Sequence, residues 1–373
     1  MAHIYDEIGV TRVLNAAGSM TYLGGSLIAP EVLEKMNEAA TSFVVMEELL
    51  DWAGAEIARL AGVEAGMVTT GSAGAILLSC AACITGDDRR RMRALPRVEG
   101  GRNEFVVQKQ HRIGFDHAIG VAGGRIVEVG DAEGTRIEHV EAALNGRTAA
   151  IFHVALDPQP TVPLAEVAAL AQRRGVPVIV DAAAELPPVD NLGAFHRAGG
   201  DLVIFSGGKD IAGPNDTGIL CGRADLVAAA RAQSFPNGGI GRPLKIGKEQ
   251  VVGLVYALRR WVGLDHEERV RRWQAQAEKM RDMLTGLPGV EADIAFAKSG
   301  ARPLIVPRTR LRLDTARIGK SIDQLDAELE GGTPAVAVGP DAANDSLWLN
   351  PQHLEEGEEE LVARRVAEVL GSG

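Results

Sequence analysis

Two residues stand out for their chemistry and their positions. Lys209 lies in "DLVIFSGGKDIAGPNDTG", where an apolar run, residues 202–205, is broken by Ser206, Gly207 and Gly208. An apolar run of that length reads as a short buried strand, so the amine sits on a turn at a strand end, where packing rarely needs a lysine. Asp181 closes "PVIVD", 28 residues earlier, and the following "AAAELPP" offers little helix for it to cap. A third feature, Gly71-Ser72-Ala73-Gly74, directly precedes an apolar helical stretch. Small residues there let backbone N–H groups approach an anion, and a helix N-terminus favours negative charge. A fourth, His111, follows the strand-like "EFVVQ" in "QKQHRIGFDHA".

An amine, a carboxylate and an anion cradle at neighbouring strand ends match the needs of one cofactor. Pyridoxal phosphate requires a lysine for a Schiff base, an acid against its pyridinium nitrogen and a site for its phosphate. His111 supplies a flat group to stack on the ring, and the small Ala183 leaves room at the other face. Rival motifs fail. Lys209 is followed by Asp210, and position 203 is valine, so a nucleotide P-loop is excluded. No strand leads into Gly-x-Gly-x-x-Gly, and the spacing of His111, Asp116 and His117 is not diagnostic of a metal site. Cys80 and Cys83 form a C-x-x-C without a second ligand pair, and read as small core residues one helical turn apart.

The elements that must position these groups follow from periodicity. Residues 31–60 are helical with an interruption near 41–45, and residues 75–84 form a buried helix. Strand-like runs at 104–108, 125–130, 149–155, 177–181, 201–205 and 217–222 then alternate with amphipathic stretches at 115–122, 137–144, 164–175 and 224–233. That alternation predicts an α/β fold with a mostly parallel sheet covered on both faces. In such sheets ligands bind beyond the carboxyl ends of the strands, where the four features fall. Residues 248–284 read as one long helical stretch joining two domains. The remainder, with strands in "RPLIVP", "AVAV" and "SLWLN" and an acidic helix at 354–370, reads as a small α+β domain. The expected division is an N-terminal segment, 1–35, a cofactor-binding large domain, 36–250, and a linking helix with the small C-terminal domain, 251–373.

The chain has 373 residues, 46% hydrophobic and 24% charged, with a net charge of -11, which argues against nucleic acid as a partner. The run Arg89-Arg90-Arg91-Met92-Arg93 is a local exception and reads as a solvated helix end or loop. The N-terminus lacks the basic and apolar regions of a secretory leader, and three cysteines fit a reducing compartment. The uncharged run 65–86 opens on Gly, Thr and Ser, so it reads as a loop and buried helix, not a membrane span. The expected protein is cytoplasmic and free of membrane.

The sequence resembles the fold-type I pyridoxal-phosphate enzymes. More narrowly, it is similar to the branch containing bacterial selenocysteine synthase and D-glucosaminate-6-phosphate ammonia-lyase. The segments that carry the likeness are "TRVLNAAGSMTYLGGSLIAPEV", "VTTGSAGAILLSCAACITG", "NEFVVQKQHRIGFDHAIGVAGGRIVEVG", "PVIVDAAAELPP" and "DLVIFSGGKDIAGPNDTGILCG". The resemblance implies a large domain with a seven-stranded sheet and a small C-terminal domain. It makes Lys209 the Schiff-base lysine, Asp181 the partner of the pyridinium nitrogen and His111 the stacking residue. Gly71, Ser72, Ala73 and Ser206 would hold the phosphate. It also implies a homodimer or higher homo-oligomer with shared active sites, for which "NAAGSMTYLGG" and "SFPNGGIGRP" are the candidate shared walls.

The chain departs from that branch in places. The extra N-terminal region that selenocysteine synthase uses for tRNA has no counterpart in this resemblance. The arginine that many relatives carry after the small-domain strand is missing from "TPAVAVGPDAAND". Arg242 and Arg312, with Arg308 and Arg310 beside the latter, are the candidates to bind a substrate carboxylate. Glu185 stands where a neutral polar residue is expected, as a proton donor or acceptor or as a loop carboxylate. The implied activity is a lyase: α-proton abstraction and β-elimination from a hydroxy amino acid or amino-sugar acid, giving a 2-oxo acid and ammonia. Racemase, aldolase and aminotransferase chemistry share the same carbanion and stay open, as does a binding protein that keeps the fold without turnover.

Overall fold

The computed structural model describes residues 3–155, 160–296 and 303–371. The chain divides into two compact units, Ser26–Leu264 and Met1–Gly25 with Asp265–Gly373. In chain order, β1 (Val13–Asn15) belongs to the second unit. The first unit then contributes β2 (Ala65–Thr70), β3 (Glu104–Gln108), β4 (Arg125–Val129), β5 (Thr148–Val154), β6 (Val178–Asp181), β7 (Leu202–Ser206) and β8 (Thr217–Gly222).

These seven strands form one sheet in the order β2-β8-β7-β6-β5-β3-β4. All pairings from β7 to β4 are parallel, whereas β8 runs antiparallel to both β2 and β7. Strands β3, β5, β6 and β8 are buried at every position, which explains their apolar centres. Two apolar layers cover the faces, one containing Ile57, Val180, Phe205 and Leu254, the other Ile76, Phe105, Phe152 and Ile204.

The buried helix begins at Gly71 and runs to Thr85, so the glycine-rich stretch is its first turn and not a preceding loop. The long stretch 248–284 is two helices, Lys248–Val262 and His266–Leu284. The break is encoded locally. Gly263 ends the first helix, and the Asp265 side chain accepts from the Glu268 N–H at 2.8 Å to start the second. Helix Lys248–Val262 stays in the first unit because it packs on helix Pro30–Ala40. Gly253 makes room for Met36, whose Sδ would stand 2.7 Å from a Cβ there, and Arg260 pairs with Glu31 at 2.5 Å. The units therefore meet the chain at 25/26 and 264/265, not at 35/36 and 250/251.

The second unit adds β9 (Val290–Ala295), β10 (Arg308–Leu313), β11 (Ala335–Ala337), β12 (Gly339–Asp341) and β13 (Ser346–Leu349). β12-β13-β10-β9 is an antiparallel sheet, and β1 pairs with β11 in parallel. Of the expected strand "RPLIVP", Arg302 lies outside the described residues, 303–307 form no strand, and the pairing begins at Arg308. The closing helix is Glu358–Gly371, later than expected from 354. Among the described residues no helix is long and apolar enough to cross a membrane.

Candidate active site

Because β8 opposes both neighbours, β2 points the same way as β7, β6, β5, β3 and β4. The carboxyl ends of β2, β7, β6, β5 and β3 therefore share one edge of the sheet. Gly71, Ser206 to Lys209, Asp181, Val154 and His111 are all there, within a few residues of those ends.

The turn carrying Lys209 is built by its neighbours. A Cβ at Gly207 would stand 2.1 Å from Thr217 Oγ1, and one at Gly208 would stand 2.4 Å from Asn215 Cα. Only glycine lets the chain fold back this tightly. The Ala212 N–H donates to Lys209 O and the Gly213 N–H to Gly207 O, each at 2.9 Å. Asp210 is buried and accepts from Trp261 Nε1 at 2.6 Å, anchoring the turn to helix Lys248–Val262. The Ser26 hydroxyl donates to Gly208 O at 3.0 Å. The Lys209 amine itself makes no hydrogen bond or ion pair among the described residues, so the turn holds it ready for another group.

Burial pushes the Lys209 amine below the usual lysine range, with Asp181 and Glu185 pulling it partly back. Burial likewise pushes the Asp181 carboxyl up, opposed by the Ala183 N–H, which donates to Oδ1 at 3.1 Å, and by Lys209. Glu185 is buried too, and it is close enough for its charge to act on Lys209. A desolvated amine and carboxyl in mutual electrostatic reach are costly for folding and characteristic of a reactive site.

At the end of β2, Gly71 adopts φ +63° with open space where a Cβ would stand. Thr70 precedes the helix without capping it, its hydroxyl donating instead to Leu244 O at 2.9 Å. The Gly71 N–H is used by Asp216 O at 2.8 Å, and Gly218 lets β8 lie against Gly71. The following N–H groups of the first turn, at Ser72 and Ala73, have no intrahelical acceptor. Ser72 is half-buried and Ala73 exposed, and the hydroxyls of Ser72 and Ser206 make no hydrogen bond within the described chain. An uncapped 15-residue helix flanked by two free hydroxyls suits a phosphate.

His111 sits in a short turn after β3, fully buried, with the Val154 N–H donating to Nδ1 at 3.4 Å. It meets His153 edge-to-face, with ring centroids 4.4 Å apart. His153 escapes sequence reasoning because it stands inside the apolar "AAIFHVA" of β5. Burial, with His111 beside it, holds that imidazole down to about 3, so it is neutral. Ala183 is half-buried just past Asp181. The donor set thus fits pyridoxal phosphate: a free amine, a buried acid, a flat ring and an anion cradle on one sheet edge.

The substrate-arginine candidates are placed differently. Arg242 is exposed, its guanidinium 5.2 Å from the Phe235 ring centre. Arg312, in the second unit, pairs with Glu291 and Asp293 at 3.2 Å each. Arg310 pairs with Asp293 at 2.6 Å, and Arg308 is buried and donates to Val306 O and Pro303 O.

Sheet order, strand direction and site together define a fold-type I architecture. The chain superposes on a Thermus thermophilus aspartate aminotransferase with a TM-score of 0.55 at 19% identity, covering 98% of this chain and 94% of that one, a likeness of fold alone. The chain belongs to the L-seryl-tRNA selenium transferase family, whose model matches residues 13–302, and its relatives are enzymes. It is 36% identical to a Streptomyces 5'-C-glycyluridine monooxygenase-decarboxylase, over 98% of this chain and 92% of that protein. It is 33% identical to a Salmonella typhimurium D-glucosaminate-6-phosphate ammonia lyase over 98% of each. A solved structure of D-glucosaminate-6-phosphate ammonia-lyase matches with a TM-score of 0.87 at 32% identity, covering 100% of this chain and 99% of that one.

Proposed function

We propose that this chain is a pyridoxal-phosphate-dependent lyase that converts a hydroxy amino acid or amino-sugar acid into a 2-oxo acid and ammonia. The observation that carries the reading is the desolvated Lys209 beside Asp181, on the same sheet edge as the uncapped helix at Gly71. The D-glucosaminate-6-phosphate ammonia lyase likeness, over the whole chain, supports the reaction type. When bound, the cofactor supplies an electron sink for the charge left when the α-proton departs.

Each residue then has a task. The N–H groups of Ser72 and Ala73, with the Ser72 and Ser206 hydroxyls, would hold the phosphate. The Asp181 carboxylate would keep the pyridine nitrogen protonated, His111 would flank one face of the ring, and Ala183 would leave space at the other. Lys209 Nζ, whose hold on its proton is weakened by burial, takes the α-proton. Glu185, within electrostatic reach of that amine, gives a proton to the departing β-hydroxyl, which leaves as water. Loss of water and hydrolysis of the resulting enamine release ammonia and the oxo acid. Of the arginine candidates, Arg242 has no carboxylate partner among the described residues and is the freer to meet a substrate carboxylate.

The working form is a cytoplasmic homodimer. In the first unit Leu27, Phe43, Val44 and Val45 are exposed, Phe43 completely, and a second copy of this chain would cover them. Light scattering that returns a monomer removes that element.

A second reading draws on the 36% identical relative, named as a monooxygenase-decarboxylase. One panel separates the two. D- and L-hydroxy amino acids, amino-sugar acids with and without phosphate, and a glycyl nucleoside are incubated with holoenzyme while ammonia, 2-oxo acid, CO₂ and O₂ are followed. Ammonia with oxo acid supports the lyase. CO₂ release with O₂ uptake moves the function to the second reading. Substrate turnover without either leaves racemase, aldolase or aminotransferase activity and overturns the lyase.

A further inference from the structure

The opposite edge of the large sheet carries a different chemistry. Two adjoining cavities, of 530 and 570 Å³, share Arg91, Val98 and Gly101, and the second lies at the amino ends of β3, β4 and β5. Arg90, Arg91 and Arg97 line the first; Arg91, Arg102, Arg125 and Arg147 line the second. Arg125 opens β4, Arg147 directly precedes β5, and Arg90 and Arg91 come from helix Arg89–Ala94. The basic run in the sequence is thus one wall of a concave site, assembled with arginines from two strand starts that lie far along the chain.

The charges around it are not balanced. Arg125 and Arg147 share one buried carboxylate, Glu104, with Arg125 at 2.5 Å. Arg91 Nε reaches Asp88 Oδ2 only at 3.8 Å, while Asp88 Oδ1 accepts from the Arg90 and Arg91 N–H groups at 2.8 and 3.1 Å. Arg90, Arg97 and Arg102 have no carboxylate partner among the described residues. Other surface arginines are paired one to one, as Arg174 is with Glu141 at 2.6 Å and Arg260 with Glu31 at 2.5 Å. Six guanidiniums facing Asp88, Glu99 and Glu104 are a concentration of positive charge in a chain of net charge -11. All six are arginine, whose planar fork matches phosphate oxygens two at a time.

We propose that this amino-edge site binds a small ligand carrying two or more linked phosphates, of nucleotide size, separately from the catalytic edge. Each cavity is of the size that small ligands fill, and Arg91, common to both, bridges successive phosphates. The Arg91 guanidinium rests against the chain at Gly101, with Nη2 3.8 Å from where a Cβ would stand.

The test is calorimetric titration of full-chain holoenzyme with inorganic tripolyphosphate at low and physiological salt. Wild type should bind, more weakly as salt rises. Arg91→Ser and Arg102→Ser should each weaken binding roughly tenfold, Arg102→Lys less, and neither should alter the cofactor's visible absorbance or turnover. Neither arginine holds a close ion pair, so folding is preserved, which thermal melting checks. Four results overturn the proposal: no binding to wild type, binding that survives both serine substitutions, binding lost in Lys209→Ala, or a short RNA that binds at least tenfold more tightly than tripolyphosphate.

Discussion

The two edges of one sheet treat charge in opposite ways. At the carboxyl edge, Lys209, Asp181 and Glu185 are few and desolvated, and Lys209 and Asp181 are displaced from their ordinary protonation ranges. At the amino edge, arginines are many and exposed. The first arrangement changes what a group does to a proton. The second changes only what it attracts. The proposed catalysis uses the edge where charge is costly, and the proposed simple binding the edge where it is cheap.

That contrast is broken or sharpened by substitution. The largest effect is expected for Lys209→Ala, with kcat lowered by at least about 10³-fold and loss of the visible cofactor band, read by absorbance and ammonia release. Asp181→Asn comes next, lowering kcat by about 10² to 10³-fold through loss of the charge at the pyridine nitrogen. The same variant should raise the melting temperature of the cofactor-free protein at neutral pH, because it removes a buried charge. A lower melting temperature would make Asp181 a structural residue.

The pH dependence of stability follows from the same pair. Lys209, lowered in the native state, holds fewer protons than in the unfolded chain between its native value and about 10.4. Its contribution therefore rises with pH across that window. Asp181, raised in the native state, holds more protons than the unfolded chain from about 3.9 up to its native value, so its contribution falls as pH rises through that window. Denaturant midpoints of cofactor-free wild type and Lys209→Met should thus separate least at high pH. Separation that grows with pH contradicts the assigned direction.

Smaller effects test the supports. Gly71→Ala forces an L side chain to φ +63° and should cost about 1 kcal/mol, with weaker cofactor binding, measured by melting and by cofactor titration. At the amino edge, Arg102→Ser should shift stability by no more than about 0.5 kcal/mol and leave kcat unchanged. A loss of turnover there would mean that the edges are not independent.

Much of the catalytic edge is legible in the sequence because its residues violate local expectation. A lysine after two glycines and an aspartate with nothing to cap both end apolar strands, and strand ends on a parallel sheet converge. The alternation of elements gave the sheet for the same reason, since buried strands must be apolar throughout. What stayed hidden depends on distant partners. Asp210 looks like a loop carboxylate until Trp261, 51 residues on, donates to it. His153 is masked by its apolar strand until the fold brings His111 edge-on. The helix break at Gly263 to Asp265 is a local cap outweighed by periodicity on either side. The basic run at Arg89 reads as solvated because Arg125 and Arg147 reach it only through strand order.

The central claim is that Lys209 carries the cofactor. It is tested most directly by adding pyridoxal phosphate to the purified chain, reducing with borohydride and mapping the digested protein by mass spectrometry. The account predicts one phosphopyridoxyl group, on Lys209, and none in Lys209→Ala. A label elsewhere, or no label with the cofactor in excess, contradicts it.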